Sequence, residues 1–286
     1  MKPPLSIVLP AKNESEGLRR VLPELKQRHP DAQIIVVDDG SSDNTAEICR
    51  THAVEIVNHP YSMGNGAAVK SGARAARGEV IVFLDADGQH DPADIARLLE
   101  KIDAGCDMAV GVRSGATQAS IGRRLANAFY NRLASWMVGH PIPDLTCGFR
   151  AVNAERFRKF IYLLPNGFSY PTTITMAFFR AGYSVSYVPI HAGTRAGNSH
   201  ISLAKDGIRF LLIIFRVGTL YSPLKLFVPI SLAFFTAGLL HYIQTFITSG
   251  RFTNMSALLL STSVLIFLIG LVSEQITNLL YSRTGE

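Results

Sequence analysis

Two long apolar segments near the C-terminal end constrain the fold of this chain more than any other feature. Leu226–Ile247 contains 22 residues and Met255–Ser273 contains 19, and neither segment includes an aspartate, glutamate, lysine or arginine. At about 1.5 Å per residue, a helix of either length crosses a hydrocarbon core of about 30 Å. The alternative is a pair of buried core helices, which are normally shorter. We therefore predict two transmembrane helices, over residues 224–248 and 255–280.

The charges around the first span predict its orientation. The connector Thr248–Met255 holds only Arg251, whereas four basic residues precede the first span: Lys205, Arg209, Arg216 and Lys225. Positive charge stays on the cytoplasmic side of a membrane. We expect a multi-pass protein of the inner (cytoplasmic) membrane, with the N-terminal region and the C-terminus both cytoplasmic. Met1–Pro10 is predicted to be a short strand. Its apolar run is too brief for the hydrophobic region of a signal peptide.

Charge is distributed unevenly along the rest of the chain. Residues 1–107 carry 12 lysines and arginines against 17 acidic residues, whereas residues 108–220 carry 13 against 3. The basic region leads directly into the predicted spans and contains no nucleic-acid-binding motif, so a lipid-borne phosphate is a better partner for it than a nucleic acid. Three scattered cysteines exclude a disulfide scaffold: Cys49, Cys106 and Cys147.

Two further segments have the pattern of amphipathic helices. In the helix predicted at about 120–138, apolar residues recur every fourth position: Ile121, Leu125, Phe129, Leu133 and Met137. This periodicity fits a helix lying on the inner leaflet and equally a helix packed on a soluble domain. Residues 206–223 mix apolar side chains with Arg209 and Arg216, which predicts a juxtamembrane interfacial helix.

The first 112 residues alternate short apolar runs with helical stretches. The predicted strands are Leu5–Leu9, Ile34–Val37, Val54–Val57, Val80–Leu84 and Met108–Val112. The predicted helices lie at about 14–28, 43–52, 66–77 and 92–104. This order is typical of an α/β fold with a mostly parallel, Rossmann-like sheet, whose ligands bind outside the carboxyl ends of the strands.

Acidic residues follow three of these strands: Glu14 after the first, Asp38-Asp39 after the second and Asp85 after the fourth. Asp85 and Asp87 follow a strand of apolar residues directly, so one carboxylate could bind Mg²⁺ or Mn²⁺ and the other a sugar or ribose. Asp38-Asp39-Gly40 fits a ligand site and also a plain turn before a capped helix. The turn Gly64-Asn65-Gly66 could hold a phosphate, although it matches neither the dinucleotide-binding nor the P-loop pattern.

Five motifs in order resemble the dolichol-phosphate mannose synthase branch of the family 2 glycosyltransferases. They are Pro10-Ala11-Lys12-Asn13-Glu14, Val37-Asp38-Asp39-Gly40-Ser41, Asp85-Ala86-Asp87-Gly88-Gln89-His90, Asp144-Leu145-Thr146-Cys147-Gly148-Phe149-Arg150 and Arg195-Ala196-Gly197-Asn198-Ser199. The resemblance implies a GT-A domain over residues 1–205. It also implies an inverting transfer of a sugar from a UDP- or GDP-sugar to an undecaprenyl or dolichyl phosphate. The paired spans resemble those of bacterial polyprenyl-phosphate members.

The resemblance and the motifs together give each candidate residue a role. Those expected to bind the nucleotide are Pro10, Ala11, Asn13, Glu14, Asp39, Gly66 and Asp85. Those expected to ligate the divalent metal are Asp87 and Gln89. The expected catalytic residues are Asp87, Arg113 and Arg195. Those expected at the acceptor phosphate are Arg113, Arg123, Arg124, Ser199 and His200. The family usually has a lysine where this chain has His200.

Two other functions fit parts of the sequence. A transferase that extends a glycan would use a hydroxyl acceptor, but such polymer synthases usually carry Gln-x-x-Arg-Trp, and here Trp136 follows Leu133-Ala134-Ser135. A non-catalytic membrane scaffold that binds a nucleotide would tolerate the loss of Asp87. We expect Asp144 to position an arginine or the acceptor loop rather than to act as a base. The sequence leaves a monomer and an oligomer both open.

Overall fold

The computed structural model describes residues 4–113, 121–167, 169–190, 215 and 218–282, and of residues 121–127 it describes the backbone alone. Contacts divide the chain into two units, Met1–Ile201 and Ser202–Glu286. The strands of the first unit are β1 (Leu5–Ala11), β2 (Gln33–Asp38), β3 (Glu55–Asn58), β4 (Val80–Phe83), β5 (Met108–Arg113), β6 (Arg150–Asn153) and β7 (Val185–Ile190). Its helices are α1 (Ser15–Arg28), α2 (Thr45–Thr51), α3 (Asn65–Ala75), α4 (Asp94–Asp103), α5 (Ile121–Val138), α6 (Ala154–Lys159) and α7 (Tyr170–Arg180).

The strands form one sheet in the order β3-β2-β1-β4-β6-β5-β7, in which β6 alone runs antiparallel to its neighbours. The predicted fold class is confirmed. The five predicted strands and four predicted helices of residues 1–112 are present, with ends within two residues of the prediction. The apolar runs of β1, β2 and β4 are buried on both faces, as in β1, where Ile7, Val8 and Leu9 are fully buried, whereas β3 at the sheet edge is only half-buried.

Two strands extend the sheet beyond the sequence prediction. β6 lies between β4 and β5, and its first residue, Arg150, is paired with Phe83 on one side and Val110 on the other. β7 is an edge strand, which explains why it tolerates Pro189, a residue without a backbone N–H. The antiparallel direction of β6 places its amino end beside the carboxyl ends of β4 and β5.

Helix α5 is present as predicted, but its buried face differs from the predicted apolar stripe. Tyr130, Ala134 and Met137 are buried, whereas Phe129 is 64% exposed and Trp136 is 50% exposed. The four-residue spacing therefore drifts off the buried face, as expected for a helix with 3.6 residues per turn. The placement of α5 at a membrane interface stays a prediction. Most of the predicted juxtamembrane helix 206–223 lies outside the described residues.

The second unit contains two long helices, α8 (Pro223–Ser249) and α9 (Asn254–Ser282). Both are long and apolar enough to cross a membrane, and only 6% and 17% of their most apolar windows are buried. A pair of core helices would be mostly buried, so the structure disfavours that alternative. The two helices meet at small residues and through hydrogen bonds, including His241 Nδ1 to Ser256 Oγ at 3.0 Å. Glu274 Oε2 accepts the Leu224 N–H at 3.3 Å, near the first turn of α8.

Candidate active site

One edge of the sheet gathers the sequence-predicted motifs. The carboxyl ends of β1, β2, β4 and β5 share this edge with the amino end of β6, because β6 alone is reversed. We call this the strand-end edge. It carries four of the five motifs, those that begin at Pro10, Val37, Asp85 and Asp144. Segments between residues 10 and 150 therefore supply neighbouring parts of one site, as expected for an open α/β sheet.

The β1 and β2 ends are joined by the side chain of Asn13. Its Oδ1 accepts the Ser42 N–H at 2.8 Å, and the Asn13 N–H donates to Ser41 Oγ at 2.9 Å. Asn13 has a φ of 56°, a left-handed conformation that asparagine adopts more readily than most residues. The exposed Asn13 and half-buried Glu14 thus lie on a turn fixed to the 41–42 backbone. Pro10 and Ala11 are the last residues of β1, paired with Val37 and Asp38.

Asp39 has a buried carboxylate that accepts four hydrogen bonds. Oδ1 accepts from His59 Nδ1 and from the Met63 N–H, both at 2.7 Å, and Oδ2 accepts from Ser62 Oγ at 2.8 Å and the Gly64 N–H at 2.9 Å. Burial opposes ionisation, but these hydrogen bonds, with His59 the strongest, lower the pKa of Asp39 below its usual value. An ionised carboxylate has about four acceptor positions, so this one is saturated by the protein.

The turn Gly64-Asn65-Gly66 packs against protein backbone. A Cβ at Gly66 would lie 2.1 Å from Pro165 O, and one at Gly64 would lie 2.5 Å from Asn166 O. The Ala67 N–H donates to Asn166 O at 3.1 Å, so one of the free amides at the start of α3 is already satisfied. Carbonyl oxygens of residues 165–166 therefore lie against this turn and take one of its amides. This geometry favours a packing role for Gly66 over the predicted phosphate contact.

The segment after β4 forms a tight turn. Asp87 Oδ1 accepts the Gln89 N–H at 3.1 Å, and Gly88 between them has a φ of +73°. Among the described residues there is no group of three or more His, Cys, Asp or Glu side chains that could hold a metal ion. Two carboxylates and an amide, from Asp85, Asp87 and Gln89, nevertheless supply the oxygen donors that Mg²⁺ and Mn²⁺ prefer. A cation here would need further oxygens from a ligand or from water.

Asp85 is surrounded by cationic and hydrogen-bonding groups. Its Oδ2 lies 3.3 Å from Nε2 of His90, a buried residue whose ring stacks on Phe149 at 5.1 Å between centroids. Burial would raise the pKa of Asp85, but the hydrogen bond from His90 and the charges of Arg113 and Arg150 lower it. Gly148 leaves room for this carboxylate, because a Cβ there would lie 3.1 Å from Oδ1.

Arg150 lies fully buried behind the strand-end edge. Its guanidinium donates to Pro171 O and Thr175 Oγ1, each at 3.2 Å, and to Cys147 O. In the part of the chain that the structure describes, no carboxylate is within ion-pair distance of this guanidinium, and its Nε has no hydrogen-bond partner. The charge is offset by carbonyl dipoles and by the Tyr170 ring, 5.8 Å away. Arg150 therefore fixes the 147–148 backbone against α7.

Arg113, at the end of β5, is held by Asp144. Nε donates to Oδ2 at 2.8 Å and Nη2 to Oδ1 at 3.0 Å, a bidentate pair, and Nη2 also donates to Thr146 Oγ1 at 2.7 Å. This pair is the contact expected if Asp144 positions an arginine, and that role stays a prediction. Burial opposes ionisation of Asp144, but Arg113 lowers its pKa below the usual value. The Arg113 side chain is 30% exposed and that of Asp144 only 8%, so part of Arg113 remains accessible to a ligand.

The structure describes five of the predicted site residues only in part or not at all. Arg195, Ser199 and His200 lie outside the described residues, and of Arg123 and Arg124 only the backbone, in α5, is described. The structure adds three residues to which the sequence analysis gave no role: His59, His90 and Arg150. His90 and Arg150 stand within quoted motifs, and His59 directly follows β3. The rule that ligands gather at strand ends could have found all three.

Comparison with known proteins agrees with this geometry. The family model for glycosyl transferase family 2 matches residues 6–161, and the model for the GtrB C-terminal hairpin matches residues 222–279. The first covers the sheet up to β6, and the second covers α8 and most of α9.

Named relatives share a third of the aligned sequence. The polyprenol monophosphomannose synthase of Mycolicibacterium smegmatis is 32% identical over 199 residues, which is 64% of this chain and 75% of that protein. The undecaprenyl-phosphate 4-deoxy-4-formamido-L-arabinose transferase of Pseudomonas fluorescens is 36% identical over 190 residues, 59% of this chain and 55% of that protein. The chain thus aligns with just over half of the second relative.

Solved structures share the fold. Glucosyl-3-phosphoglycerate synthase from Mycobacterium tuberculosis, in complex with phosphoglyceric acid, superposes with a TM-score of 0.60 at 20% identity, covering 76% of this chain and 79% of that chain. A complex of the same enzyme with Mn²⁺, uridine diphosphate and glucosyl-3-phosphoglycerate gives 0.58 at 22% identity, with the same coverage. At this identity the likeness concerns the fold.

Proposed function

Because the chain belongs to glycosyl transferase family 2, we propose that it transfers a sugar, with inversion, from a nucleotide-diphosphate sugar to a polyprenyl phosphate. The observation that carries the proposal is the placement of Asp85, just after β4, and Arg113, at the end of β5, on either side of β6 at the strand-end edge. A carboxylate suited to a nucleotide sugar or its metal and an arginine suited to a phosphate thus belong to one site. The GtrB C-terminal hairpin and the relatives that act on polyprenyl phosphates support the lipid acceptor.

On the donor side, the ends of β1 and β2 are proposed to hold the nucleotide. Pro10, Ala11, Asn13 and Glu14 form the turn beside Asp39, and Asp85 stands on the next strand. Asp85 remains ionised at neutral pH because its pKa is lowered, so it can accept hydrogen bonds from ribose hydroxyls. The proposed donor is a UDP-sugar or a GDP-sugar.

Asp87 and Gln89 are proposed to hold Mg²⁺ or Mn²⁺. Such an ion, when bound, neutralises the charge that develops on a departing diphosphate. The chain itself orients these two residues, since the Asp87 carboxylate closes the turn by accepting the Gln89 N–H.

On the acceptor side, a phosphate monoester requires no general base. Its second pKa is about 6, so it is largely a dianionic oxygen nucleophile at neutral pH. The difficulty is repulsion between that dianion and the diphosphate, which cations offset. Arg113 is proposed to bind the acceptor phosphate, with Arg123, Arg124, Ser199 and His200 as further contacts. Arg195 is proposed to bind the donor diphosphate.

The environment of Asp144 favours a phosphate acceptor over a hydroxyl acceptor. A hydroxyl must lose a proton as it attacks, which needs a base with a pKa near the working pH. Asp144 was the rival candidate for that base, but both its oxygens are engaged by Arg113 and its pKa is lowered. A carboxylate so stabilised is a weak base. The glycan-extending alternative therefore loses its most obvious base.

The proposed setting is the inner membrane, crossed by α8 and α9, with the catalytic unit and both termini in the cytoplasm. The proposed domains are residues 1–205, with α5 at the interface, then a juxtamembrane helix at 206–223 and the two spans. The basic flank before α8 supports this orientation.

The deciding experiment offers the purified full-length protein three acceptors: polyprenyl phosphate, free polyprenol and an oligosaccharide. Labelled UDP- and GDP-sugars serve as donors, and products are identified by mass spectrometry of the lipid and aqueous phases. We expect label in a lipid-phosphate sugar. Label in the oligosaccharide alone would establish the glycan-extending alternative, and nucleotide binding without any transfer would indicate a scaffold.

A further inference from the structure

A chain of partly buried hydrogen bonds links Asp39, His59 and Ser71. His59 Nδ1 lies 2.7 Å from Asp39 Oδ1, and His59 Nε2 lies 2.9 Å from Ser71 Oγ. The side chains of His59 and Asp39 are only 6% and 5% exposed. The three residues come from the end of β3, the end of β2 and the middle of α3. The imidazole therefore ties two strand ends to a helix.

The hydrogen-bond partners of the two ring nitrogens fix the orientation of the His59 ring. The Asp39 carboxylate can only accept, so Nδ1 of His59 carries the proton. In the neutral imidazole Nε2 accepts the Ser71 O–H, and in the imidazolium it donates to Ser71 Oγ, since a hydroxyl rotates to suit either state. The His59 N–H also donates to Asp38 O at 2.9 Å, which anchors the backbone. The ring orientation is thus determined on both sides.

The same Asp39 carboxylate holds the loop of residues 59–64. Its remaining acceptor positions are taken by Ser62 Oγ and by the N–H groups of Met63 and Gly64. This 59–64 loop lies against the Gly40 turn, where an added Cβ would be 2.9 Å from Ser62 N. Among the described residues, His59 is therefore the one donor outside residues 62–64 that fixes the orientation of the carboxylate to which that part of the loop is hydrogen-bonded.

We propose that His59 is a positioning residue for the nucleotide sugar. By orienting Asp39 it fixes the 59–64 loop beside the strand-end edge, so that the loop is ordered before the nucleotide arrives. Preorganisation of this kind improves affinity because less ordering is left for the binding step. The inference rests on the proposed function, since it presupposes that the β1 and β2 ends bind a nucleotide.

The Asp–His–Ser order is also that of a hydrolytic triad, but the surroundings of Ser71 do not suit a nucleophile. Ser71 lies within α3, where backbone N–H groups are used by the helix itself. An acyl or phosphoryl transfer would need free donors for the developing oxyanion. Ser71 instead acts as the second support of the ring.

Two substitutions of His59 separate its two contacts. Asparagine places an amide near the Nδ1 position and can still donate to Asp39, whereas glutamine reaches the Nε2 position and keeps only Ser71. His52→Asn is the matched control, a half-buried histidine of the same unit at the end of α2. Binding of UDP and GDP is measured by calorimetry on the full-length protein in nanodiscs, and KM and kcat by lipid-phosphate sugar formation.

We expect His59→Gln to raise the nucleotide Kd and the KM for the nucleotide sugar at least about tenfold, the effect of losing a charge-assisted hydrogen bond. The kcat should change less than about threefold, and His59→Asn and His52→Asn should bind within about threefold of wild type. Equal losses in His59→Asn and His59→Gln, or wild-type binding by His59→Gln, would overturn the inference.

A further variant covers the case in which His59→Gln fails to fold, as judged by its melting temperature. Ser71→Ala should weaken nucleotide binding by roughly twofold to fivefold, the effect of one neutral hydrogen bond, and unchanged binding would overturn the inference. Because calorimetry measures nucleotide binding without any acceptor, failure of the inference about His59 can be told apart from failure of the proposed acceptor. A wild-type protein that binds nucleotide but makes no lipid-phosphate sugar refutes the proposed acceptor alone, whereas one that binds no nucleotide refutes both.

Discussion

Replacing Asp144 with asparagine tests whether this residue positions Arg113 or removes a proton. The wild-type carboxylate accepts two hydrogen bonds from the guanidinium, at 2.8 and 3.0 Å. Asparagine keeps the shape but offers one oxygen and presents an NH₂ group to a donor. Arg113 then retains one side-chain contact at position 144 and its bond to Thr146 Oγ1, so it is loosened but not released.

The size of the effect follows from the lost contact. One hydrogen bond to a charged group contributes about 1.5–3 kcal/mol, which corresponds to roughly 10- to 150-fold in rate if it is expressed only in the transition state. We therefore expect Asp144→Asn to lower kcat/KM by about that factor without abolishing transfer. Thr146→Ala removes one hydrogen bond from the same guanidinium to a neutral hydroxyl but leaves the pair with Asp144 in place, so it should cost only about tenfold, the low end of that range.

The assay compares kcat/KM and its pH profile in wild type, Asp144→Asn and Thr146→Ala. Because the pKa of Asp144 is lowered in the folded protein, its stabilising effect is present above about pH 4 and is lost as the pH falls through the lowered value. The difference in melting temperature between wild type and Asp144→Asn should therefore narrow under acid conditions. If Asp144→Asn loses all activity and the acid limb of the pH profile disappears, Asp144 acts as the base. If the rate is unchanged, the position of Arg113 does not matter for the reaction.

Three other predictions concern the metal, the topology and the second arginine. Asp87→Asn should abolish transfer at an unchanged melting temperature while Asp91→Asn does not, and full turnover of the wild type in excess EDTA would contradict a metal role. A cysteine placed at Ser249 should react with an impermeant maleimide from the outer side, and labelling from the cytoplasmic side alone would reverse the topology. Arg195→Ala should lower kcat/KM about 10²- to 10³-fold, while Arg132→Ala, an exposed charge, should cost less than about threefold; similar rates would refute the assignment.

Most of the fold could be predicted because its central strands are continuous apolar runs. A parallel strand buried on both faces must be apolar throughout, so β1, β2, β4 and β5 are visible without any partner. The α8 and α9 helices are visible for a related reason, since lipid requires uninterrupted apolar length. Both patterns are runs of neighbouring apolar residues, so both can be recognised in a single sequence.

β6 and β7 could not be predicted, because their positions depend on distant segments. β6 has four residues and begins with a charged one, Arg150, whose side chain is stabilised by Pro171 O and Thr175 Oγ1. Nothing in the sequence near Arg150 indicates that partners more than 20 residues later will bury it. β7 mixes polar and apolar residues and contains Pro189, a pattern that sheet interiors disfavour but edges tolerate.

The same distinction applies to the candidate site. The positions of its carboxylates follow from the strand ends, whereas their hydrogen-bond partners depend on tertiary contacts. Carboxylates after an apolar run were enough to place Asp39 and Asp85 at one edge, because parallel strands end together. Their partners were not predictable, since Asp39 is saturated by residues 20 to 25 positions later and Gly66 meets the backbone of Pro165. A glycine before a helix signals only that something approaches closely. Whether that neighbour is a phosphate or another part of the chain depends on the loop that folds over it, and here the protein fills the space.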